Sequence, residues 1–313
     1  MTGEAEQDPL GAWRSVEPAI FALVDAIELQ AGLAIDPAIL RPVRDAVESI
    51  LGPAGRRPGG PHAVLEPSGS VPPATVAACV DVAEQFVVDV PRTTDEQRAA
   101  LSSAMGRDTF TFVQVLYVVD VFGRMRIGFD RLGPPDAVAA PVGAPIHVPE
   151  GDLWTLLERF MQVVAQLDAL DPLTAELVRL RGARVHDCRL CRSRRSLRAL
   201  DAAGDPDVLE VDDLDSPRLD ERQRVALRAT DALVTQPSAI DAELAAAVHR
   251  CFSTDEVLEL VLDVARNAAN KIAVALGADA PVVADGIELY DLDATGTVVA
   301  DVDAAVVRAA TTA

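Results

Sequence analysis

The chain is poor in four things, and each shortage excludes a class of protein. Only 4% of its 313 residues are aromatic, which disfavours a β-sandwich. Four cysteines in so long a chain are too few for a disulfide scaffold. Positive charge is scarce, and the net charge of −21 disfavours nucleic acid and anionic membranes as partners. The longest apolar stretch, from Phe110 to Phe122, is interrupted by Gln114 and Asp120 and is too short to span a bilayer.

The residues that are abundant favour helices. Half of the chain is hydrophobic and Ala, Val and Leu predominate, which is typical of packed helices with aliphatic contacts. The length allows about two domains of ordinary size. Residues 2–8 are acidic and polar, so we predict no secretory signal and expect a cytoplasmic protein.

Helix boundary signals recur in the two halves of the chain in the same order. Asp36-Pro37 and Asp171-Pro172 each read as an N-cap followed by a first-turn proline. Prolines 91 and 237 then interrupt helical patterns, and Leu132-Gly133 and Leu276-Gly277 end amphipathic runs. The nearly constant spacing predicts a tandem duplication, and chance recurrence of common helix signals is the alternative.

The duplication defines the predicted organisation of the chain. A degenerate first helical repeat covers 1–135, a Pro- and Gly-rich linker covers 136–150, a second repeat covers 151–280, and a hairpin with a tail covers 281–313. In the first repeat, the Gly- and Pro-rich stretch from Gly52 to Pro73 is a predicted loop, at the place where the second repeat has a cysteine pair.

Two local patterns in the second repeat give definite predictions. Ser253 and Glu256 form a capping box before a long amphipathic helix from about Thr254 to Leu276. Near the C-terminus, segments Ile287 to Leu292 and Thr297 to Val299 flank a turn and predict a small β-hairpin.

The strongest chemical signal is a C-x-x-C pair, Cys188 and Cys191, in the most arginine-rich part of this acidic chain. Such a pair binds half of a metal site or cycles between dithiol and disulfide. We predict that Asp187 caps a helix from Cys188 to about Ala203, so that both sulfurs lie near its N-terminus, which favours a thiolate. Arg195 would then lie one turn after Cys191, and its charge would favour the thiolate further.

The order of motifs in the second half resembles the alkylhydroperoxidase D-like and carboxymuconolactone decarboxylase superfamily. The matching features are Glu176 on a helix, then Cys188-x-x-Cys191, then a long helix that contains Asn267 and Asn270 and leads to Leu276-Gly277. The similarity covers about Leu153 to Asp279, with a fainter echo in the first half. It implies an all-α fold built as two alkylhydroperoxidase D-like helical bundles in tandem, followed by the short hairpin.

The resemblance also implies roles for individual residues. Cys191 would be the attacking thiol and Cys188 the resolving thiol, with Glu176 as proton acceptor and His186 and Asn270 near the substrate. From their charge, Arg192 and Arg194 would recruit an anionic substrate, and a solvated arginine face is the alternative for most of these side chains. The peroxidase members continue C-x-x-C-x-x-x-H, and that histidine place is Arg195 here. Arginine stays protonated, so Glu176 or water would have to accept the proton. The alternative for Glu176 is a first-turn carboxylate that complements the helix N-terminus.

These residues lead to one expected function and several alternatives. We expect a thiol-dependent oxidoreductase that reduces a peroxide or a disulfide, uses no metal or other cofactor, and works as a homodimer with a dithiol reductant protein. The alternatives are a non-redox, carboxymuconolactone decarboxylase-like enzyme or a non-catalytic binding or scaffold protein. A zinc site at His186, Cys188 and Cys191 is the metal alternative, with Cys251 or His249 as a distant fourth ligand, but no second C-x-x-C supports it.

Overall fold

The structure, a computed structural model, describes residues 10–52, 71–133, 150–283 and 286–300. Helices dominate, and a three-stranded sheet includes a hairpin close to the C-terminus. The predicted all-α fold with a C-terminal hairpin is therefore confirmed. Most of the predicted loop from Gly52 to Pro73 and nearly all of the predicted linker lie outside the described residues.

The chain divides into two compact units, Met1–Phe160 and Met161–Ala313. The helices of the first unit are α1 (Pro18–Ala34), α2 (Pro37–Leu51), α3 (Pro73–Asp89), α4 (Asp95–Met105) and α5 (Thr109–Arg131), and α6 (Leu153–Val164) begins in it and ends in the second. Asp36 caps α2 by accepting a hydrogen bond from the Ala38 amide, as its position before Pro37 predicts. Most residues of α5 are buried, because its apolar side chains occur on every face and pack against neighbouring helices.

The second unit carries all of the sheet and the cysteine pair. Its elements are α7 (Pro172–Val185), α8 (Arg189–Arg192), β1 (Arg194–Ser196), α9 (Leu197–Ala202), α10 (Glu221–Thr235), α11 (Ala242–Cys251), α12 (Thr254–Asn267), α13 (Asn270–Ala275), β2 (Glu288–Leu292) and β3 (Val298–Ala300). Asp171 caps α7 and the Ser253–Glu256 capping box begins α12, both as predicted. None of the helices within the described ranges combines the length and the apolar character that crossing a membrane requires.

The described parts of the two units share one order of helices and one pattern of packing. In the first unit α2 packs on α3, α3 packs on α4, and α5 contacts all three of these helices. In the second unit α7 packs on α10, α10 packs on α11, and α12 contacts all three of these. A short 3₁₀ turn that contains Pro91 or Pro237 separates the second and third helix of each set. This agreement supports the duplication, which remains a prediction.

Two long helices predicted in the second repeat are each interrupted in the structure. The predicted helix from Cys188 to Ala203 is wrong: α8 ends at Arg192, β1 follows, and α9 begins only at Leu197. Pairing of β1 with β2 satisfies backbone groups that a helix would otherwise use, so tertiary structure overrides the local preference. The predicted helix from Thr254 to Leu276 breaks after Asn267, and α13 ends at Ala275, two residues before Gly277, which has φ = +67°.

The predicted hairpin is confirmed, but it has a third partner. β2 pairs antiparallel with β3, with Tyr290 opposite Ala300, and β1 pairs in parallel with β2 on the other edge. In that parallel register Arg194 lies opposite Glu288, and Ser196 lies opposite Tyr290. The hairpin thus belongs to the second unit, and it is hydrogen-bonded to β1, the segment that directly follows the cysteine pair.

Gly296 fixes the turn of this hairpin against α6. Its φ is +79°, and a Cβ atom at this position would overlap the backbone of Gln162. We therefore expect Gly296→Ala to destabilise the second unit by about 2 kcal/mol, through left-handed strain and loss of this close approach. Thermal unfolding measures the change. Gly204→Ala is the matched control, because Gly204 has an ordinary φ and open space around it. Equal melting temperatures for the two variants would contradict the prediction.

Candidate functional site

The cysteine pair lies at the start of α8, directly after the tight turn that follows α7; we call residues 186–192 the cysteine turn. His186 ends α7, Asp187 takes a positive φ of 45°, and Cys188 acts as the N-cap of α8. Asp187 is therefore not the cap that the sequence predicts. Cys188 and Cys191 form a disulfide, with their Cα atoms 5.3 Å apart, and the Cys191 amide lies 3.2 Å from the Cys188 sulfur. Cys188 is buried, whereas Cys191 is partly exposed, so the two sulfurs differ in access.

Asp279, which lies 90 residues after Arg189 in the sequence, holds α8 in place. Its carboxylate accepts hydrogen bonds from the backbone and side chain of Arg189, and its carbonyl oxygen accepts one from the Leu190 amide at 2.9 Å. The hydrogen bonds from Arg189 lower the pKa of the Asp279 carboxyl. Since α8 has only four residues, the predicted effect of a helix dipole on the sulfurs is small.

A buried ion pair forms the floor under the cysteine turn. Arg179 donates two hydrogen bonds to Glu176, at 2.6 and 2.7 Å, and donates others to the carbonyl oxygens of Cys191 and Arg194 at 2.9 and 2.8 Å. Desolvation opposes the charge of this guanidinium, but the adjacent Glu176 carboxylate outweighs it and raises the pKa of Arg179. The pair thus links α7 to both ends of the segment that follows Cys191.

Glu176 has its hydrogen-bonding capacity filled. Besides Arg179, it accepts hydrogen bonds from the Tyr290 hydroxyl at 2.9 Å and from the Ser196 amide at 3.0 Å. Burial raises the pKa of the Tyr290 hydroxyl, so that group donates at neutral pH. Arg179, which donates to both Glu176 and the Cys191 carbonyl oxygen, therefore connects Glu176 to the cysteine pair. Neither of the two roles that we considered from the sequence, proton acceptor at the thiol or first-turn helix carboxylate, describes these contacts.

A cavity of about 150 Å³ opens beside Cys191. Its walls combine apolar side chains with guanidinium and amide groups, namely Arg179, Leu190, Cys191, Arg194, Arg266, Asn267, Asn270, Tyr290 and Val298. Cys188 is absent from this lining, so a molecule in the cavity contacts Cys191 and not Cys188. We call this space the cysteine cavity.

Two of the predicted substrate-binding residues are joined at the cysteine cavity. His186 Nδ1 lies 2.8 Å from Asn270 Oδ1, and this contact connects the end of α7 to the start of α13. Asn270 lines the cavity, whereas the buried His186 supports it from behind. The structure therefore brings Cys191, Cys188, Asn270 and His186 together.

Arg195 does not lie where the sequence predicts. The prediction placed it on the helix face of Cys191, but it lies in β1, where successive side chains point to opposite sides. Arg194 consequently faces the cysteine cavity, and Arg195 is buried on the other side and bonded to Glu210 at 2.6 and 3.0 Å. Arg192 also faces away from the cysteine cavity and pairs with Asp187.

Arg195 and Arg192 line a second space of about 330 Å³, which we call the arginine cleft. The cleft is formed by Leu180, Arg184, Arg189, Arg192, Ser193, Arg195 and Glu210. Its lining includes residues next to the cysteines in the sequence, but neither Cys188 nor Cys191. Sequence reasoning treated most of these arginines as a solvated face, because alternation along a strand cannot be seen where a helix is expected.

Several residues of the cysteine cavity escaped the sequence reasoning. Arg179 and Tyr290 carry no motif, and Tyr290 reaches the site only because β2 pairs with β1, which a local pattern does not reveal. The family pattern did contain Asn267, and its position three residues before Asn270 is the one signal that pointed to this wall. Arg266 donates to the Met161 carbonyl oxygen at 3.1 Å and so connects α12 to α6.

The remaining titratable candidates are dispersed. Within the described ranges, no three His, Cys, Asp or Glu side chains are grouped so that they could hold a metal ion. Cys79 is buried and Cys251 is partly buried, both as free thiols. Asp293 accepts hydrogen bonds from Thr295 and from the Thr297 amide, as turn chemistry predicts.

Comparison with known proteins identifies relatives but no activity. No family model matches the chain, and no solved structure matches it significantly, so the resemblance to alkylhydroperoxidase D-like proteins rests on its motifs alone. Two proteins of Mycobacterium tuberculosis, the uncharacterized protein Rv2313c of strain ATCC 25618 / H37Rv and the uncharacterized protein MT2376 of strain CDC 1551 / Oshkosh, are each 43% identical to it over 227 residues. The match covers 71% of this chain and 80% of each relative. The chain therefore belongs to the family of these two mycobacterial proteins.

Proposed function

We propose that this protein is a thiol-dependent oxidoreductase that reduces a peroxide, or the disulfide of a partner, with Cys188 and Cys191. The observation that carries the proposal is the asymmetry of the pair: the two sulfurs are bonded, Cys191 lines a cavity, and Cys188 is buried behind it. A pair that only stabilised the fold would not need one sulfur at a cavity wall. In this proposal the partly exposed Cys191 attacks the substrate and the buried Cys188 resolves the intermediate.

The proposed peroxide reaction balances with these two thiols alone. The Cys191 thiolate attacks one peroxide oxygen, the O–O bond breaks, and the product alcohol leaves with a proton while Cys191 becomes a sulfenic acid. The Cys188 thiol then attacks that sulfur, water leaves, and the disulfide forms. An external dithiol reduces the disulfide and restores the starting state.

The charged residues around the cavity support the attacking thiolate. Arg179 and Arg194 line the same cavity as Cys191, and nearby guanidinium charge favours the anionic sulfur. Arginine cannot accept the thiol proton, and the Glu176 carboxylate is occupied by its three partners. Water in the cavity is accordingly the proton acceptor in this proposal.

The proposal includes the setting in which the protein works. We place it in the cytoplasm, where disulfides are rare and those that form are mostly catalytic or redox-sensing. A homodimer with a small dithiol protein as reductant is part of the same proposal, and it derives from the family resemblance.

Peroxide consumption by the purified protein tests the proposal. With dithiothreitol present, the wild-type protein should consume an organic hydroperoxide above the rate of the reductant alone, and Cys191→Ser should lose this activity. In a separate experiment without dithiothreitol, Cys188→Ser should react once with the hydroperoxide and gain one oxygen atom on Cys191, which mass spectrometry detects. Cys251→Ser is the control, because Cys251 is a free thiol outside the cavity. A rate of peroxide consumption in Cys191→Ser equal to that of the wild-type protein would disprove the peroxide reaction. The same variants assayed with a disulfide substrate test whether the protein reduces disulfides.

One observation favours a second candidate, a non-redox enzyme of the decarboxylase kind. Such an enzyme needs a pocket away from the sulfurs that is lined by arginine and an acid, and the arginine cleft contains four arginines and Glu210. Glu210 is bonded to Arg195, with its side chain 57% exposed, so it is reachable from solvent. Turnover of a lactone substrate that survives in the Cys188→Ser/Cys191→Ser protein would favour this candidate.

A further inference from the structure

The arginine cleft presents positive charge from three separate elements. Arg184 comes from α7, Arg189 and Arg192 come from α8, and Arg195 comes from β1. Because neighbouring strand residues point to opposite sides, the cleft and the cysteine cavity lie on opposite faces of the same segment. The cleft is thus a separate space from the cavity that the proposed redox function uses.

The charge of the cleft is opposite to that of the protein. Its lining contains four guanidinium groups and one carboxylate, whereas the whole chain carries a net charge of −21. Burial lowers the pKa of the Arg184 guanidinium, Asp212 and Glu210 act in the opposite direction, and the nearby charge of Arg195 lowers it further. Burial is thus the main effect on Arg184, and an anion in the cleft would favour its charged form.

Two of the guanidinium groups are accessible to a ligand. The side chains of Arg189 and Arg192 are 56% and 53% exposed, and each holds its acidic partner, Asp279 or Asp187, from one side. Arg184 and Arg195 are fixed more firmly, since Arg184 donates to the carbonyl oxygens of Val211 and Leu209, and Arg195 to those of Arg192 and Arg194. The cleft thus combines two rigid cations at its base with two adjustable ones at its rim.

We infer that the arginine cleft is a binding site for the phosphate group of a small anionic ligand. A phosphate offers three or more oxygens in tetrahedral directions, and several guanidinium groups can bind it at once. A single carboxylate is planar and is satisfied by one guanidinium fork, which is how Asp279 and Glu210 are already held. Convergence of cations from three elements therefore fits a phosphate better than a carboxylate. The inference does not depend on the proposed redox function.

Calorimetric titration with inorganic pyrophosphate tests the inference, with citrate at matched ionic strength as the carboxylate probe. Pyrophosphate should bind the wild-type protein more tightly than citrate does, and added NaCl should weaken the binding. Arg192→Gln should weaken it about tenfold or more, because a charge-assisted contact is lost. Glu210→Gln should strengthen it several-fold, because the one anion in the lining is removed.

Arg198→Gln is the matched control. This substitution removes the same charge as Arg192→Gln. Arg198 is exposed and pairs with Asp291, but it is not part of the cleft. The affinity of the Arg198→Gln protein for pyrophosphate should stay within about twofold of the wild-type value, since exposed charges at a distance are screened. Equal losses in Arg192→Gln and Arg198→Gln would mean a diffuse charge effect and would overturn the site.

Hydrogen exchange of the wild-type protein gives a readout that needs no variant. Pyrophosphate should slow amide exchange in a peptide that spans α8 and β1, while peptides from α11 should be unaffected. Absence of both heat and exchange protection at millimolar pyrophosphate would overturn the inference. Citrate binding as tight as pyrophosphate binding would overturn the phosphate assignment and would favour a carboxylate ligand.

Discussion

Replacing Glu176 with alanine is expected to lower the free energy of unfolding of the second unit by about 3–5 kcal/mol. Arg179 would keep its charge in a buried position, with 12% of its side chain exposed, and would lose both hydrogen bonds to the carboxylate. The Tyr290 hydroxyl and the Ser196 amide would lose an acceptor at the same time. Breaking one side of a buried pair costs more than the pair itself contributes, because the remaining charge is left without a partner.

Urea unfolding followed by circular dichroism measures the loss, and hydrogen exchange in α7 localises it. Glu158→Ala is the matched control, since Glu158 is an exposed carboxylate on α6, and its effect should stay within about 0.5 kcal/mol. In the double variant Glu176→Leu/Arg179→Met the buried charge is also gone, so it should be more stable than Glu176→Ala. A loss below about 1 kcal/mol in Glu176→Ala would show that the Glu176–Arg179 pair does not stabilise the cysteine turn.

The sequence was most informative where local chemistry decides the structure. Caps such as Asp171 and Ser253 and the C-terminal Gly277 act within a few residues, so the helix boundaries that they mark are predicted correctly. The hairpin is also local, because one short turn brings its two strands together. The fold class and several of its boundaries could therefore be predicted from the sequence.

The cysteine turn was harder to predict because contacts distant in sequence decide it. The segment after Cys191 has the composition of a helix, yet β1 forms there because β2, about ninety residues later, supplies its hydrogen bonds. Asp279 and Tyr290 enter the site by the same route. The predicted helix places Arg195 beside Cys191, whereas in the structure Arg194 and not Arg195 lies at the cysteine cavity.

Two carboxyl groups on α12 make the stability of the second unit dependent on pH. Glu259 and Asp263 are buried one helical turn apart. Desolvation raises the pKa of Glu259 from 4.5 to about 7, helped by the charge of Asp263, and burial raises the pKa of Asp263 from 3.8 to about 6. The folded state then binds more protons than the unfolded state between these values. For these two groups stability is therefore highest below about pH 3.8 and falls as the pH rises through their raised pKa values towards 7.

Glu259→Gln should remove about half of this pH dependence, since Asp263 keeps its own raised pKa, and should stabilise the protein at pH 8 by roughly 3 kcal/mol at most. One carboxylate oxygen of Glu259 accepts the hydrogen bonds from the amides of Ala169 and Leu170, at 2.5 and 2.9 Å, so the amide oxygen of glutamine can replace it without a buried charge. Near pH 4.5 the variant and the wild-type protein should be equally stable, because the carboxyl is then largely neutral when folded. Urea unfolding at the two pH values, with Glu158→Gln as the exposed control, measures the difference. A variant that is less stable than the wild-type protein at pH 8 would mean that the ionised carboxylate strengthens these amide contacts by more than its desolvation costs.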